Sequence, residues 1–519
     1  MWALVREPCD ENVARSAPAR STCTKSRGRG ILAATILASS MAFIDGTVVN
    51  VALPALQTNL NASALDVQWV VEAYSLLLSA FLLVGGSLGD HYGRRRVFII
   101  GVLLFAAASA ACGMAANIQQ LIAARALQGF GAALLVPGSL AIISNSFSEE
   151  ERGRAIGTWS GLSAITAGLG PMFGGWLIEH VSWRAVFFIN LPLALAVIVL
   201  SLRYVPENAD RETTHVDWLG GTLAATSLGA LVYAFIESSR LGFQDKSVIS
   251  MLIIGLVLLG LFLVIEARIS QPMLPLDLFH SRTFTGANLL TFLLYASLGV
   301  TLFFLPLNLI QVQHYSPTAA GAALLPFILI MSILSRWSGG LVRRYGARVP
   351  LVLGPLIAAF GYALFAVPRA GGDYWLSVFP PMVVLGLGMA ITVAPLTTTV
   401  MNSVSQHRAG IASGANNAIA RTAGLVAIAV LGVVMLHVFD SALNRRLVDE
   451  QLPPRIVQSL HAQRTKLAAI VAPEDVDLAK RDAIRRAVDE SFVSGFRAIM
   501  AIGAALAVVS ALTAWILIR

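Results

Sequence analysis

The sequence has few charged residues, few cysteines and no motif of a known catalytic centre. Of its 519 residues, 13% are Asp, Glu, Lys or Arg, whereas soluble globular domains carry about 25%. The three cysteines, Cys9, Cys23 and Cys112, give neither a disulfide framework nor a metal-ligand spacing. The phosphate-binding loop G-x-x-x-x-G-K-[ST], the zinc motif H-E-x-x-H and the nucleophile elbow are absent. We therefore expect no enzyme, no metal and no cofactor.

Long apolar runs dominate what is present, with 56% hydrophobic residues. A membrane-spanning helix needs about 20 predominantly apolar residues, and the runs are continuous rather than alternating as in a barrel. The sequence therefore predicts an all-α polytopic membrane protein. Its fourteen predicted spans cover about residues 31–54, 68–88, 96–116, 119–143, 154–178, 184–203, 217–237, 248–267, 284–311, 319–341, 350–367, 375–398, 409–438 and 495–517. The net charge of +8 fits basic cytoplasmic loops and does not indicate nucleic-acid binding.

Basic residues concentrate in the short loops on one side of the predicted spans. That side carries Arg94, Arg95, Arg96, Arg152, Arg154, Arg211, Arg343, Arg344, Arg348 and Arg408. The short loops of the other side carry Arg184, Arg240, Lys246 and Arg369. The positive-inside rule predicts that both termini are cytoplasmic, in the inner (cytoplasmic) membrane of a cell. Residues 1–30 are polar and basic without a cleavable signal, which predicts a disordered cytoplasmic tail.

One predicted loop, residues 439–493, is long and lies outside. Its charge is nearly balanced, and Pro453, Pro454 and Pro473 interrupt it. The stretches 455–470 and 476–492 are candidates for short amphipathic helices. We expect a passive extracytoplasmic cap, with control of substrate access as the alternative.

Ionisable residues predicted at membrane depth are the main candidates for chemistry, because each costs a few kcal/mol there. Asp45 in the first span and Arg125 in the fourth fall in the outer half of the bilayer. An acid that gains and loses a proton as its access alternates would provide proton coupling; a structural clamp between helices is the alternative. Glu72 lies near the outer mouth of the second span. It is either a solvated helix end or an acid that attracts cationic substrate or carries a proton.

Other polar residues are weaker candidates. Arg421, near the middle of the thirteenth span, fits a functional role and structural pairing equally well. Glu237 and Glu266 end the seventh and eighth spans, where we expect them at the membrane interface. Polar residues that we predict to line a cavity between the helices are Asn50, Gln128, Asn417 and Arg421.

The stretch 85–96, GGSLGDHYGRRR, forms a charged turn between the second and third spans. It is either a topological anchor or a latch that locks and releases two packed helices, and its candidate latch residues are Gly86, Asp90, Gly93, Arg94 and Arg95. A weaker copy, residues 338–348, follows the tenth span, with Arg343 in the place of Asp90. The repeat predicts two related halves. We place a six-helix bundle at 31–203, an inserted helix pair at 204–283 and a second bundle at 284–519.

The fifth span is rich in glycine. Small residues allow close helix approach, and proline bends a helix. The residues Gly157, Gly170, Pro171, Gly174 and Gly175 therefore predict a closely packed, pliable helix. We expect a hinge or a seal between the halves, with dimerisation through small residues as the alternative.

Together these motifs resemble the major facilitator superfamily, and within it the fourteen-helix drug:proton antiporters. The stretches that carry the resemblance are 86–96 GSLGDHYGRRR, 121–133 LIAARALQGFGAA, 170–175 GPMFGG, 45–54 DGTVVNVALP, 183–192 WRAVFFINLP and 69–74 WVVEAY. In that family, the arginine matching Arg125 is associated with proton transfer. Thr166 stands where the family's fifth-helix motif has a glycine.

The resemblance implies two six-helix bundles plus an inserted helix pair, with a cavity between the bundles. It implies proton-coupled efflux of amphipathic organic compounds, cationic or neutral, with Asp45, Arg125 and Glu72 in proton coupling. The partners would be a small-molecule substrate, protons and the lipid bilayer, and we expect a monomer. A dedicated exporter of one metabolite, lipid or antibiotic is the first alternative; a non-transporting membrane sensor or scaffold is the second.

Overall fold

The computed structural model describes residues 25–207, 217–269, 272–367, 371–405, 408–449, 453–473 and 476–518. Within these ranges the chain is helical without strands, and fourteen helices are long and apolar enough to cross a membrane. The predicted all-α polytopic class and the number of spans are therefore confirmed. Predictions for most of the N-terminal tail, Cys9, Cys23, Arg211 and Arg369 lie outside the described residues.

The membrane helices are numbered in chain order. The first eight are α1 Lys25–Asn59, α2 Ala64–Tyr92, α3 Arg94–Met114, α4 Ile118–Ser146, α5 Glu149–His180, α6 Ala185–Tyr204 with a break at Ile189, α7 Trp218–Leu241 and α8 Lys246–Arg268. The other six are α9 Arg282–Leu307, α10 Pro317–Ala322 with Leu325–Ser338, α11 Arg348–Phe365, α12 Tyr374–Ser377 with Phe379–Asn402, α13 Ala409–Asp449 and α14 Leu478–Leu517. A π-helical turn, Asn308–Val312, extends α9, and short helices cover Leu276–His280 and Leu341–Tyr345.

The helices pack as two copies of one arrangement. In the first bundle α4 packs on α2 and α3, and α1 packs on α5 and α6; in the second, α12 packs on α10 and α11, and α9 packs on α13 and α14. Each of these contacts recurs eight helices later, as the repeated turn predicts. The remaining two helices, α7 and α8, pack on each other, and α7 also contacts α2 and α13. The two six-helix bundles and the inserted pair are therefore as expected.

The bundles meet through α2 with α13 and α5 with α10. We call the membrane side with residues 85–96 the turn side and the opposite side the loop side. On α5, a side chain at Gly168 would overlap Ile328, and one at Gly175 would overlap the Pro317 carbonyl. Nearer the turn side, Gly157 and Gly161 face open space. The cleft between the bundles is therefore closed toward the loop side and widens toward the turn side along α5.

Three predicted helix boundaries are wrong. Helix α13 continues to Asp449 and α14 begins at Leu478, so much of the predicted 439–493 loop is helical. The extensions carry charge, which ended the apolar runs, but their apolar side chains (Phe439, Leu443, Val488 and Phe492 among them) are buried. At the other end, helix α1 already begins at Lys25, inside the predicted disordered tail.

What remains of the loop includes a cap segment, residues 453–473, with an α-helix at Pro454–Ala462 and a 3-10 helix at Arg464–Ala469. It touches both bundles. Lys466 Nζ donates to Asn61 Oδ1 at 3.0 Å, after α1, and Arg485 Nη1 of α14 donates to the Ala468 carbonyl at 3.1 Å. The buried Leu467 side chain lines a small cavity together with residues of α2, α9 and α13. Its backbone is left-handed, with φ +53° and ψ −127°.

Candidate functional site

An ion pair lies inside the first bundle at membrane depth. Asp45 of α1 accepts from Arg125 Nη1 of α4, and their side chains are 0% and 1% exposed. Two adjacent helices thus bring together the two charges that the sequence separates by eighty positions. Because each charge is buried, each depends on the other for compensation.

Neutral polar groups complete the surroundings of Asp45. Gln128 Nε2 donates to Asp45 Oδ1 at 2.8 Å, and Asn190 Nδ2 donates to the same oxygen at 3.2 Å. Both amides also donate to Ser109 Oγ, at 3.2 and 2.9 Å. The site therefore draws on α1, α3, α4 and α6. Gln128 is fully buried in this network, and its role as a cavity-lining residue stays a prediction.

Sequence reasoning missed Ser109 and the role of Asn190. Asn190 stands in the 183–192 motif, which offered a signal for it. Ser109 is one of several serines in apolar helices and has no distinguishing pattern. Its hydroxyl donates to the Phe187 carbonyl at 2.9 Å, which leaves the oxygen to accept from both amides.

Arg125 has acceptors other than Asp45. Its Nη1 donates to Gln128 Oε1 at 2.7 Å and its Nε donates to the Val70 carbonyl at 3.2 Å. The Tyr74 ring lies 4.2 Å from its guanidinium carbon, in cation–π geometry. Protonation of Asp45 would therefore leave the guanidinium partly compensated.

Glu72 of α2 is 0% exposed, so its alternative as a solvated helix end is wrong. Neither carboxylate oxygen has a hydrogen-bond partner in the described part of the protein. Residues one turn away on either side, Trp69 and Leu76, pack with Val232 of α7 and Leu425 of α13. Glu72 thus lies where the inserted pair meets both bundles, out of reach of a substrate in the cleft.

The other candidate cavity residues differ in surroundings. Arg421 and Asn50 are half-buried, and the enclosed Asn50 Oδ1 has no partner among the described residues. Asn417 is exposed and donates to the Ser413 carbonyl of its own helix at 3.1 Å. Its neighbour Asn416 instead ties α13 to α9 by donating to Asn288 Oδ1 at 2.9 Å.

The 85–96 turn is held by contacts within the first bundle. Asp90, near the end of α2, pairs with Arg94, the first residue of α3, at 2.6 Å. Glu207, after α6, lies 3.5 Å from Arg95 and accepts from the Arg95 backbone N–H at 3.2 Å. Gly93 has φ +106°, a backbone conformation that residues with a side chain rarely adopt, and it lies against the end of the Glu207 side chain. Sequence reasoning missed Glu207, which has no motif around it.

The second copy of the turn keeps part of this geometry. Gly346 has φ +75° at the position of Gly93. Arg95 donates to the Val205 carbonyl at the end of α6, and Arg348 donates to the Ile518 carbonyl at the end of α14, at 3.2 and 3.0 Å. In each bundle an arginine of the turn thus caps the last helix.

The glycines of α5 fall on two faces. Gly170 and Gly174 lie against Thr47 and Val48 of α1, whereas the carbonyl of Pro171 contacts Gly321 of α10. Thr166, at the glycine position of the motif, donates to Ser40 Oγ at 2.7 Å and adds a polar tie to α1. Gly157 faces open space, so the expectation of close packing is wrong at that position.

The acids of the inserted pair differ from each other. Glu237 pairs with the exposed Arg240 at 2.8 Å, in keeping with an interfacial position. Glu266 is 2% exposed and accepts from the Leu274 backbone N–H at 2.9 Å. The segment after α8 folds back over Glu266, and its place at the membrane interface stays a prediction.

Fourteen membrane helices in two repeated bundles around a cleft define a multi-pass membrane transporter. The family model of the Major Facilitator Superfamily matches residues 35–429, and the chain belongs to this superfamily; it is a transporter and not an enzyme. It is 35% identical over 499 residues to the multidrug resistance protein Stp of Mycobacterium tuberculosis, covering 93% of this chain and 91% of that protein.

Two further comparisons agree. The tetracenomycin C resistance and export protein of Streptomyces glaucescens is 30% identical over 488 residues, covering 93% of this chain and 90% of that protein. Among solved structures, a bacterial homolog to the human lysosomal transporter Spinster superposes with a TM-score of 0.64 at 18% identity, covering 95% of this chain and 98% of that one.

Proposed function

We propose that this protein is a proton-coupled antiporter that exports amphipathic organic compounds across the cell membrane. The observation that carries the proposal is the buried Asp45–Arg125 pair, an acid with a built polar environment inside a transporter whose relatives are named for drug resistance and export. The turn side, which carries most arginines, is cytoplasmic, and so are both termini. The protein acts as a monomer.

In the proposed cycle, a proton from outside reaches Asp45 when the cleft is open on the loop side. Its arrival at Oδ2 breaks the ion pair, and Arg125 turns to the Gln128 and Val70 oxygens that it already contacts. The weakened tie between α1 and α4 permits the change of access. The proton leaves to the cytoplasm when the cleft is open on the turn side, the side toward which it widens along α5. Glu72 is the second proton carrier. Its buried carboxylate has no partner among the described residues, so the ionised form is unfavourable and readily takes up a proton.

The gradient is sufficient for this exchange. One charge moved through 100 mV supplies about 2.3 kcal/mol, and a tenfold concentration ratio needs about 1.4 kcal/mol. Each proton therefore supports more than tenfold accumulation.

The test is drug transport into inverted membrane vesicles under an imposed pH gradient. We expect uptake that an uncoupler abolishes and that Asp45→Asn removes, whereas Asp482→Asn, an exposed acid of α14, keeps it. Uncoupler-insensitive transport, or full coupling in Asp45→Asn, would refute the proposal.

A dedicated exporter remains a second candidate, because the name of one relative specifies a single antibiotic, tetracenomycin C. A panel of unrelated dyes and drugs separates the two functions. A dedicated exporter transports one chemical class from the panel, and a multidrug exporter transports several.

A further inference from the structure

The charges near the middle of the membrane are not equally available to a substrate. Asp45 and Arg125 neutralise each other and are enclosed. Glu72 is enclosed as well. Arg421 of α13 is half-buried, so part of its side chain is open. Among the described side chains at this depth, the charge that a compound in the cleft would meet is therefore positive.

Arg421 lies where both bundles meet. It is twelve residues after the start of α13, which places it roughly 18 Å along the helix at 1.5 Å per residue. On the same helix face, Gly414 approaches Leu83 and Gly432 approaches Gln68, both on α2. Gly424, one turn after Arg421, packs against Gly299 of α9. The guanidinium thus sits at the junction of α2, α9 and α13.

Its neighbours are tyrosines and not acids. The guanidinium lies within electrostatic range of Tyr74 of α2 and Tyr295 of α9. In the described ranges, no ion pair and no hydrogen bond involves its nitrogens. A guanidinium carries five N–H donors in a planar fork that matches a carboxylate. A cation held inside a protein without an acceptor is costly, so an acidic group on a bound compound would stabilise this guanidinium.

We propose that Arg421 binds the acidic group of the exported compounds, which would be amphipathic molecules with a carboxylate, enolate or phenolate oxygen. This inference rests on the proposed export function and specifies its substrate class. It replaces the expectation of cationic or neutral substrates that the family resemblance implies, and it leaves the enclosed Glu72 no role as an acid that attracts cations. A cationic compound at this junction would meet a like charge and no accessible carboxylate among the described residues.

Tyr74 connects this site to the proton site. Its ring lies over Arg125, its hydroxyl donates to the Ala42 carbonyl at 3.1 Å, and Arg421 is its electrostatic neighbour on the other bundle. An anion bound at Arg421 therefore lies next to Tyr74, and Tyr74 packs on Arg125, the ion-pair partner of Asp45.

The test uses two dyes with the same ring system and opposite charge, carboxyfluorescein and rhodamine 6G. Equilibrium binding to the purified full-length protein is measured by fluorescence anisotropy, without a gradient. We expect wild type to bind carboxyfluorescein more tightly, and Arg421→Gln to weaken that binding about tenfold or more, the usual effect of losing a charge-assisted hydrogen bond. Rhodamine 6G binding should stay unchanged or tighten. Arg421→Lys keeps the charge and should lose less of the affinity for carboxyfluorescein than Arg421→Gln.

Arg445→Gln, which removes an exposed arginine near the other end of the same helix, is the matched control and should leave both affinities unchanged. Equal losses for both dyes in Arg421→Gln would show a structural role and overturn the inference, as would unchanged carboxyfluorescein binding. The readout is independent of the proton gradient. Charge-selective binding without proton-driven flux would therefore refute the export function alone, and proton-driven export restricted to cations would refute this inference alone.

Discussion

Two acids at similar depth, Asp45 and Glu72, show how differently a membrane protein can hold a carboxyl group. Asp45 accepts from Arg125, Gln128 and Asn190, so its environment suits the ionised form. Glu72 has no donor near it among the described residues, so its environment suits the neutral form. The same residue class therefore serves two different roles, and the distinction lies entirely in the neighbours.

We expect the isosteric neutral variants of the two acids to differ in stability. Asp45→Asn leaves Arg125 without its counter-ion and should lower the free energy of unfolding by up to about 3–5 kcal/mol. Glu72→Gln keeps an uncharged side chain of the same shape, which suits this enclosed environment, and should leave stability unchanged or higher. Thermal unfolding in detergent measures both, with Asp482→Asn as the exposed control. Equal destabilisation of the two variants would contradict the assignment.

Helix α5 acts at the scale of the element through the positions where it touches the opposite bundle. Gly175→Ala would overlap the Pro317 carbonyl and should favour conformations open on the loop side. Gly161→Ala adds a methyl group in open space and should not. Spin labels at Val181 and His314, in a background without native cysteines, report the separation of α5 and α10. An unchanged distance distribution in Gly175→Ala would show that α5 does not seal the loop side against α10.

The cap segment makes a second prediction at this scale. The left-handed Leu467 backbone costs about 1–3 kcal/mol, and the burial of its side chain between the bundles offsets that cost. Leu467→Ala keeps the strain, loses the burial and should open the loop side. A cysteine at Gln57, whose side chain contacts the Lys466 carbonyl at 3.4 Å, should then react faster with an impermeant maleimide. Val471→Ala, at an exposed position, is the control. Equal labelling rates in Leu467→Ala and in the protein with Leu467 would show that the cap segment does not control access from the loop side.

The whole molecule alternates only if the 85–96 turn can change partners. In the conformation described here, the ion pairs of Asp90 and Arg95 lie within the first bundle, and the bundles diverge along α5. We propose that the turn engages the second bundle when the turn side closes. Asp90→Asn should then reduce turnover while leaving equilibrium dye binding largely intact. Loss of binding with normal turnover would show that the turn has another role.

Much of this architecture is encoded in local patterns. Continuous apolar runs fix the fourteen spans, and charge at membrane depth singles out Asp45, Arg125 and Arg421. The end of α13 escapes prediction because its charged extension packs against that of α14 beyond the apolar core. A helix at 476–492 is predicted, but its continuation into the last span is not. The burial of Glu72 and Gln128 also escapes it, since a helix sequence does not reveal which neighbouring helix covers each face. Glu207 is found only through the fold, which brings the end of α6 back to the turn.

The position of α7 has a consequence for how compounds enter from lipid. This helix covers the seam where α2 meets α13, and α8 covers α7 from outside. On the opposite flank nothing comparable lies over α5 and α10 in the described chain, and the space beside Gly157 and Gly161 is open. Lateral access from the bilayer is therefore one-sided. Amphipathic compounds dissolved in the leaflet on the turn side would enter the cleft between α5 and α10 directly from the lipid, without passing through the aqueous phase.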